Sequence, residues 1–173
     1  MSLYRIGHIV RDSFPFVWNW ISSFNSFTFG LRYGRKLAHI PLLLSKYQWT
    51  IKRFGLTENL HIERLSAYNL DALTAFFRRQ PESAFTYFRP HGFDRTALEK
   101  LTKDKSFLAF VICNGGSQVV GYIFLRSFFW GKCYRGYITD HEWQRMGINK
   151  QMNLFATDLA ELTGMRTFGS ISP

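Results

Sequence analysis

From Gly55 onward the apolar positions of the chain follow one period and then another. Leu60 to Leu65 (Leu-His-Ile-Glu-Arg-Leu) alternates as a half-buried strand does, and Ser66 is placed to cap a helix directly after it. Leu70, Leu73, Phe76 and Phe77 then recur at helical spacing up to Pro81. Asp94 precedes a second helical stretch, Arg95 to Lys103, with Leu98 and Leu101 as its apolar positions. Two apolar, β-rich runs come next, Phe107 to Cys113 and Gln118 to Phe124, separated by the hairpin signal Asn114-Gly115-Gly116. Cys133 to Thr139 predicts a further strand. Ile148 to Leu162 sets Met152, Phe155, Ala156, Leu159 and Leu162 on one helical face that Gly164 terminates, and Thr167 to Ser172 reads as one more strand. The order strand, two helices, three antiparallel strands, helix, strand predicts an α+β domain with a mixed, mostly antiparallel central sheet flanked by helices.

The chain before Gly55 has no single period. Phe14 to Phe29 is aromatic-rich, yet Asn19, Ser22, Ser23, Asn25, Ser26 and Thr28 interrupt it, so it is too polar to cross a bilayer. Arg32 to Phe54 mixes Lys/Arg with Leu42, Leu43, Leu44, Tyr47, Trp49 and Ile51, as an amphipathic or surface-packing segment does. The expected division is a basic, aromatic N-terminal extension, residues 1–57, and a domain, residues 58–173. Charge sharpens that division. Residues 1–57 carry eight Lys/Arg against Asp12 alone, whereas residues 58–173 carry fourteen against eleven Asp/Glu. Such an excess fits a membrane surface, an acidic partner or nucleic acid. Packing on the domain or on a second subunit and peripheral membrane contact through residues 14–54 are the readings kept for it. No nucleic-acid motif accompanies the charge, and nucleic acid is not an expected partner.

Cys113 and Cys133 fall on neighbouring predicted strands of a domain too large to need staples, which favours a reduced pair. No signal-peptide core and no run of about 18 apolar residues stands out, so a cytoplasmic location is expected. No His/Cys spacing suggests a metal, and no Gly-x-Ser-x-Gly nucleophile motif occurs.

Chemistry concentrates in Asp-His-Glu-Trp-Gln-Arg-Met-Gly-Ile-Asn-Lys, residues 140–150, between a predicted strand and a predicted helix. A helix entrance carries unpaired N–H groups and partial positive charge, and a pyrophosphate fits there. Gly147 permits close backbone approach, and Arg145 and Lys150 add charge. Here the sequence resembles the GNAT superfamily of N-acetyltransferases. The superfamily signature Gln/Arg-x-x-Gly-x-Gly/Ala is matched by Gln144-Arg145-Met146-Gly147-Ile148-Asn149, with Asn in place of the last small residue. The resemblance runs from about residue 60 to 173.

The resemblance implies a GNAT-like fold and an acyl-CoA cosubstrate, acetyl-CoA first among them. The acyl group would pass to an amine of a small molecule or protein. It implies cofactor contacts from Gln144, Arg145, Met146, Gly147, Ile148, Asn149 and Lys150. The preceding strand, at Ile138, Thr139 and His141, would offer free backbone groups to the pantetheine arm and acyl carbonyl. Glu142, Asp140 and His141 are the candidates for a catalytic base. Asp140 and Glu142 read equally as loop carboxylates, and His141 as a backbone contributor. Tyr134 and Tyr137 read as core or surface residues or as acceptor-pocket lining. Family members usually continue with a helix and two strands that supply a cofactor-contacting Asn and a thiolate-protonating Tyr. The resemblance therefore implies a domain lacking those elements at its C-terminus. A homodimer or the first 57 residues would then cover the exposed sheet edge. The alternative function is a degenerate, non-catalytic module attached to a membrane or protein partner through its N-terminal segment.

Overall fold

A computed structural model describes residues 15–86, 88 and 90–169. Its elements are α1 (Pro15–Leu37), α2 (Ile40–Leu44), β1 (Gln48–Arg53), β2 (Leu56–Arg64), α3 (Leu70–Arg79), α4 (Arg95–Lys103), β3 (Phe107–Asn114), β4 (Val119–Ser127), β5 (Lys132–Thr139), α5 (Ile148–Thr163) and β6 (Arg166–Gly169). Residues 170–172 of the last expected strand, and Phe14 at the start of the aromatic segment, lie outside the described residues.

The six strands form one sheet in sequence order, β1-β2-β3-β4-β5-β6. Every neighbouring pair is antiparallel except β5 and β6, which α5 connects in parallel. β3 explains why the sheet sits at the centre. All but its last residue are buried, because helices cover both faces and the usual apolar–polar alternation is suppressed. Leu108, Phe110 and Ile112 join one core with Phe155 and Met152 of α5. Ala109, Val111 and Cys113 join a second core with Leu70, Leu73 and Phe77 of α3. Leu98 of α4 belongs to that second core. The expected α+β plan is therefore the observed one, with helices on both faces of the sheet.

The expected boundary at residue 57/58 falls inside the β1–β2 hairpin. β1 pairs with β2 from Gln48↔His61 to Arg53↔Leu56. Phe29, Tyr33, Ile40, Leu43 and Tyr47 are buried in the same core as α5. Tyr47 is fastened there by its hydroxyl, which donates to Asp158 Oδ2 at 2.8 Å. The apolar side chains from Phe29 to Tyr47 complete the core beneath the sheet. Ser66 does not cap α3. Asn69 takes the N-cap position, and its Oδ1 accepts from the Ser66 N–H at 2.9 Å.

Asp94 does cap α4, with Oδ1 accepting from the Ala97 N–H at 2.9 Å. Asp94→Ala is expected to lower stability by about 1 kcal/mol, the usual cost of losing such a cap. Chemical denaturation should register it as a shifted midpoint at unchanged slope.

Candidate functional site

β5 lies between β4 and β6. On one edge it stays paired with β4 as far as Thr139↔Gly121. On the other, the described pairs with β6 run from Lys132↔Arg166 to Arg135↔Gly169, the last described residue. Gly136 has a steric reason to be glycine: a Cβ there would lie 2.6 Å from the ring of Phe124 on β4.

Backbone direction alternates along a strand, so the groups on the edge of β5 away from β4 can be identified. The Asp140 N–H donates to Val120 O at 2.9 Å, and Lys132 O accepts from the Phe128 N–H at 2.8 Å. Even-numbered residues thus turn toward β4. Gly131 O, odd-numbered, accepts from the Arg166 N–H at 2.8 Å on the β6 side. Tyr137 and Thr139 therefore turn their N–H and C=O groups to the edge of β5 away from β4. Of the three residues expected from the sequence to offer backbone there, Thr139 does so. The backbone of Ile138 is directed at β4, and the His141 N–H donates to Gln80 Oε1 at 3.1 Å. Tyr137 was not expected in this role. Alternation would have found it had the parity been fixed, and nothing in the sequence fixes it.

The loop beyond β5 is fastened by Asp140, which is 1% exposed. One carboxylate oxygen accepts from the Glu142 N–H at 3.0 Å and the other from Arg79 Nε at 2.6 Å. Arg79 also donates to Val119 O. Glu142 is exposed and paired with Arg53 at 3.4 Å. The guanidinium of Arg53 lies 4.4 Å above the ring of buried Trp143. The side chain of His141 is exposed, with Nδ1 3.4 Å from Asp140 Oδ1.

Arg145 (φ 63°) and Gly147 (φ 80°) then turn the chain through two left-handed positions into α5. The first turn of α5 contains no acidic residue. Among the described residues no side chain accepts from its N–H groups at Ile148, Asn149 and Lys150. A Cβ on Gly147 would meet nothing within 4 Å, so the backbone is open to close approach. Asn149 Oδ1 accepts from Thr139 Oγ1, tying the end of β5 to the helix entrance. A cavity of about 620 Å³ joins the two. Seven of the expected cofactor residues line it: Ile138, Thr139, Gln144, Arg145, Gly147, Ile148 and Asn149. Ala84 and Trp143 complete the wall, while His141, Met146 and Lys150 are not in it. Asp140 and Glu142 do not line it either.

Neither cysteine is poised as a nucleophile. Burial pushes the Cys133 thiol up to about 11, and burial with Glu63 nearby pushes Cys113 up to about 12. Among the described residues one group of metal-ligating type, His61, Glu63 and Cys113, brings its donor atoms within 4.8 Å of one another. Its His61 Nε2 and Glu63 Oε1 are already paired at 2.9 Å.

A second feature escaped sequence reasoning because its members are scattered. His91 sits among the rings of Phe77, Phe93, Phe107, Tyr122 and Phe124, on the α3/α4 face of the sheet. Its Nδ1 is 2.8 Å from Gly92 O and its Nε2 2.9 Å from the Tyr122 hydroxyl. A carbonyl only accepts, so Nδ1 carries the proton and Nε2 accepts from Tyr122. Burial first, with Arg126 adding to it, lowers the His91 pKa to about 4. The folded state thus resists protonation that the unfolded chain accepts near 6.5. The stability held by neutral His91 is complete above about pH 6.5 and is lost as pH falls toward 4, at about 1.4 kcal/mol per unit. His91→Gln should flatten the fall of melting temperature between pH 6.5 and 4. An unchanged slope would show that His91 is not the titrating group.

The fold is that of the GNAT acetyltransferases. The GNAT domain of PAT from S. lividans is similar in structure, with a TM-score of 0.59 at 10% identity, over 75% of this chain and 81% of that one. A GNAT-family acetyltransferase from Staphylococcus aureus MU50 gives 0.54 at 13% identity, over 65% and 73%. An acetyltransferase from Trypanosoma brucei gives 0.50 at 13% identity, over 65% and 83%. No protein-family model matches the chain, and no curated protein matches it in sequence.

Proposed function

We propose that this protein is an acyl-CoA-dependent N-acyltransferase, with acetyl-CoA the first donor to test. One observation carries the reading: a single cavity is lined by Ile138 and Thr139 at the end of β5 and by Gly147, Ile148 and Asn149 at the uncapped entrance of α5. The donor set suits coenzyme A. Amide N–H groups at 148–150 and the cationic Arg145 suit a diphosphate, and the acid-free first turn adds no repulsion. The backbone groups of Tyr137 and Thr139 suit the amides of a pantetheine arm lying along that edge of β5 as a further strand would. Asn149, held toward β5 by Thr139, is drawn aside from the helix axis.

The acyl thioester supplies an electrophilic carbonyl, and the residues of this chain position it. An N–H on the edge of β5 away from β4, that of Thr139 at the cavity, is the group available to a developing oxyanion. Asp140 is not available as a base, because both its oxygens are already engaged. Glu142 is engaged with Arg53 outside the cavity, and His141 does not line it. The amine therefore enters neutral from solution, and the rate rises with pH across the acceptor's own ionisation. A small-molecule or protein amine satisfies this requirement.

Acetyl-CoA at a hundredfold excess over its Kd should stabilise the protein by about 2.7 kcal/mol. At about 2–4 °C per kcal/mol for a chain of this size, the melting temperature should rise by roughly 5–10 °C. Release of free CoA with a panel of amines then tests transfer. One observation favours a second, non-catalytic reading: Asn149 stands where the resembled signature has Gly or Ala. A melting temperature unmoved by a tenfold molar excess of acetyl-CoA would favour that reading over the first.

A further inference from the structure

α1 is apolar on two faces, and its own domain uses one of them. Phe29, Tyr33 and Leu37 pack into the core. On the opposite side Val17, Trp20, Phe24, Phe27 and Leu31 recur at spacings of three and four, all exposed. Trp20 is 69% exposed and Leu31 73%. The patch is continuous beyond the helix. The rings of Trp20 and Phe24 stack at 6.3 Å, Phe24 meets Phe129 edge-on at 6.1 Å, and Phe129 meets Trp130 at 5.0 Å. It therefore extends onto the turn between β4 and β5, where Trp130 is half-exposed. A contiguous aromatic surface of this kind is not left to water without a reason.

Charge decides among the surfaces that would cover it. No residue from 13 to 57 is acidic, while six are Lys or Arg. Arg35 lies one turn beyond Leu31 on the same face of α1, and Arg32 borders it; both are exposed. A second copy docking through this face would bring two acid-free, basic surfaces together. An anionic lipid surface would neutralise them while burying the rings at the headgroup boundary, where Trp and Phe are favoured. Among the described residues no helix is long and apolar enough to cross a membrane. We propose that α1 lies in the plane of an anionic bilayer, with Trp20, Phe24, Phe27 and the Phe129–Trp130 turn inserted at its surface. The proposal is independent of acyl-CoA binding and is tested without it.

The full chain is mixed with phosphatidylcholine vesicles containing about a third phosphatidylglycerol, or none, and sedimented. Binding is expected on the anionic vesicles, with a blue shift of tryptophan emission. It should weaken at least tenfold between about 50 and 300 mM salt as the charges are screened. Trp20→Glu with Phe27→Glu should reduce binding at least tenfold at an unchanged melting temperature, since both side chains are mostly exposed. Arg32→Gln with Arg35→Gln should reduce it on anionic vesicles alone. Equal binding to both vesicle types, full binding by the double-Glu chain, or no vesicle binding by a chain that light scattering shows to be a dimer would each overturn the proposal.

Discussion

Gly147→Val is expected to lower the affinity for acetyl-CoA by a hundredfold or more in a chain that still folds. Gly147 has φ 80° and ψ 2°, a left-handed conformation that a β-branched residue adopts only under strain. The strain costs of the order of 1–3 kcal/mol and is relieved by moving the loop, which displaces the N–H groups of Ile148 and Asn149. No neighbour lies within 4 Å of the new Cβ, so there is no core clash and the fold should survive at a lower melting temperature. The added side chain stands on a residue that lines the cavity, and excludes the ligand there. A hundredfold loss corresponds to about 2.7 kcal/mol. Titration calorimetry of wild type, Gly147→Ala and Gly147→Val separates strain from bulk. Ala carries most of the backbone penalty and little of the volume, so it should lie between the other two. Wild-type affinity in the Val variant would mean that the diphosphate is seated elsewhere.

Legibility in the sequence depended on how locally each feature is specified. α5 was readable because Met152, Phe155, Ala156 and Leu159 need only a helical period to face the sheet, and the structure buries all four. The β3–β4 hairpin was readable because Asn114 closes its own turn, its Oδ1 accepting from the N–H groups of Gly116 and Gln118. β1 was not. Trp49 and Ile51 alternate correctly, but Lys52 and Arg53 beside them gave the segment the look of an amphipathic surface stretch. α1 lacked a single period because it presents apolar residues to the core and to solvent alike. The loop from Gln144 to Asn149 was legible as a helix entrance. The roles of its neighbours were not, since the engagement of Asp140 depends on Arg79, 61 positions away.

That long-range tie yields the largest expected loss of stability. Arg79→Ala leaves the carboxylate of Asp140, 1% exposed, without its cation, and frees the carbonyl of Val119 from a donor. Removing one partner of a buried pair typically costs about 3–5 kcal/mol, because the remaining charge stays out of water. At about 2–4 °C per kcal/mol the melting temperature should fall by roughly 10 °C. The mirror substitution should cost less. Asp140→Asn removes the charge but keeps an oxygen for the Glu142 N–H, and leaves behind a guanidinium whose side chain is 30% exposed and can be hydrated. Arg79→Lys should recover only part of the loss, since one ammonium does not reproduce a fork that serves Asp140 through Nε and Val119 through Nη2. The loop held by Asp140 leads into the entrance of α5, so acetyl-CoA affinity should fall with stability in the order Arg79→Ala, Arg79→Lys, wild type. Thermal melts and calorimetric titrations of the three variants beside wild type check both series. A fall of less than about 2 °C in Arg79→Ala would show that the ion pair does not hold the loop, and with it would go the account of how the helix entrance is kept open.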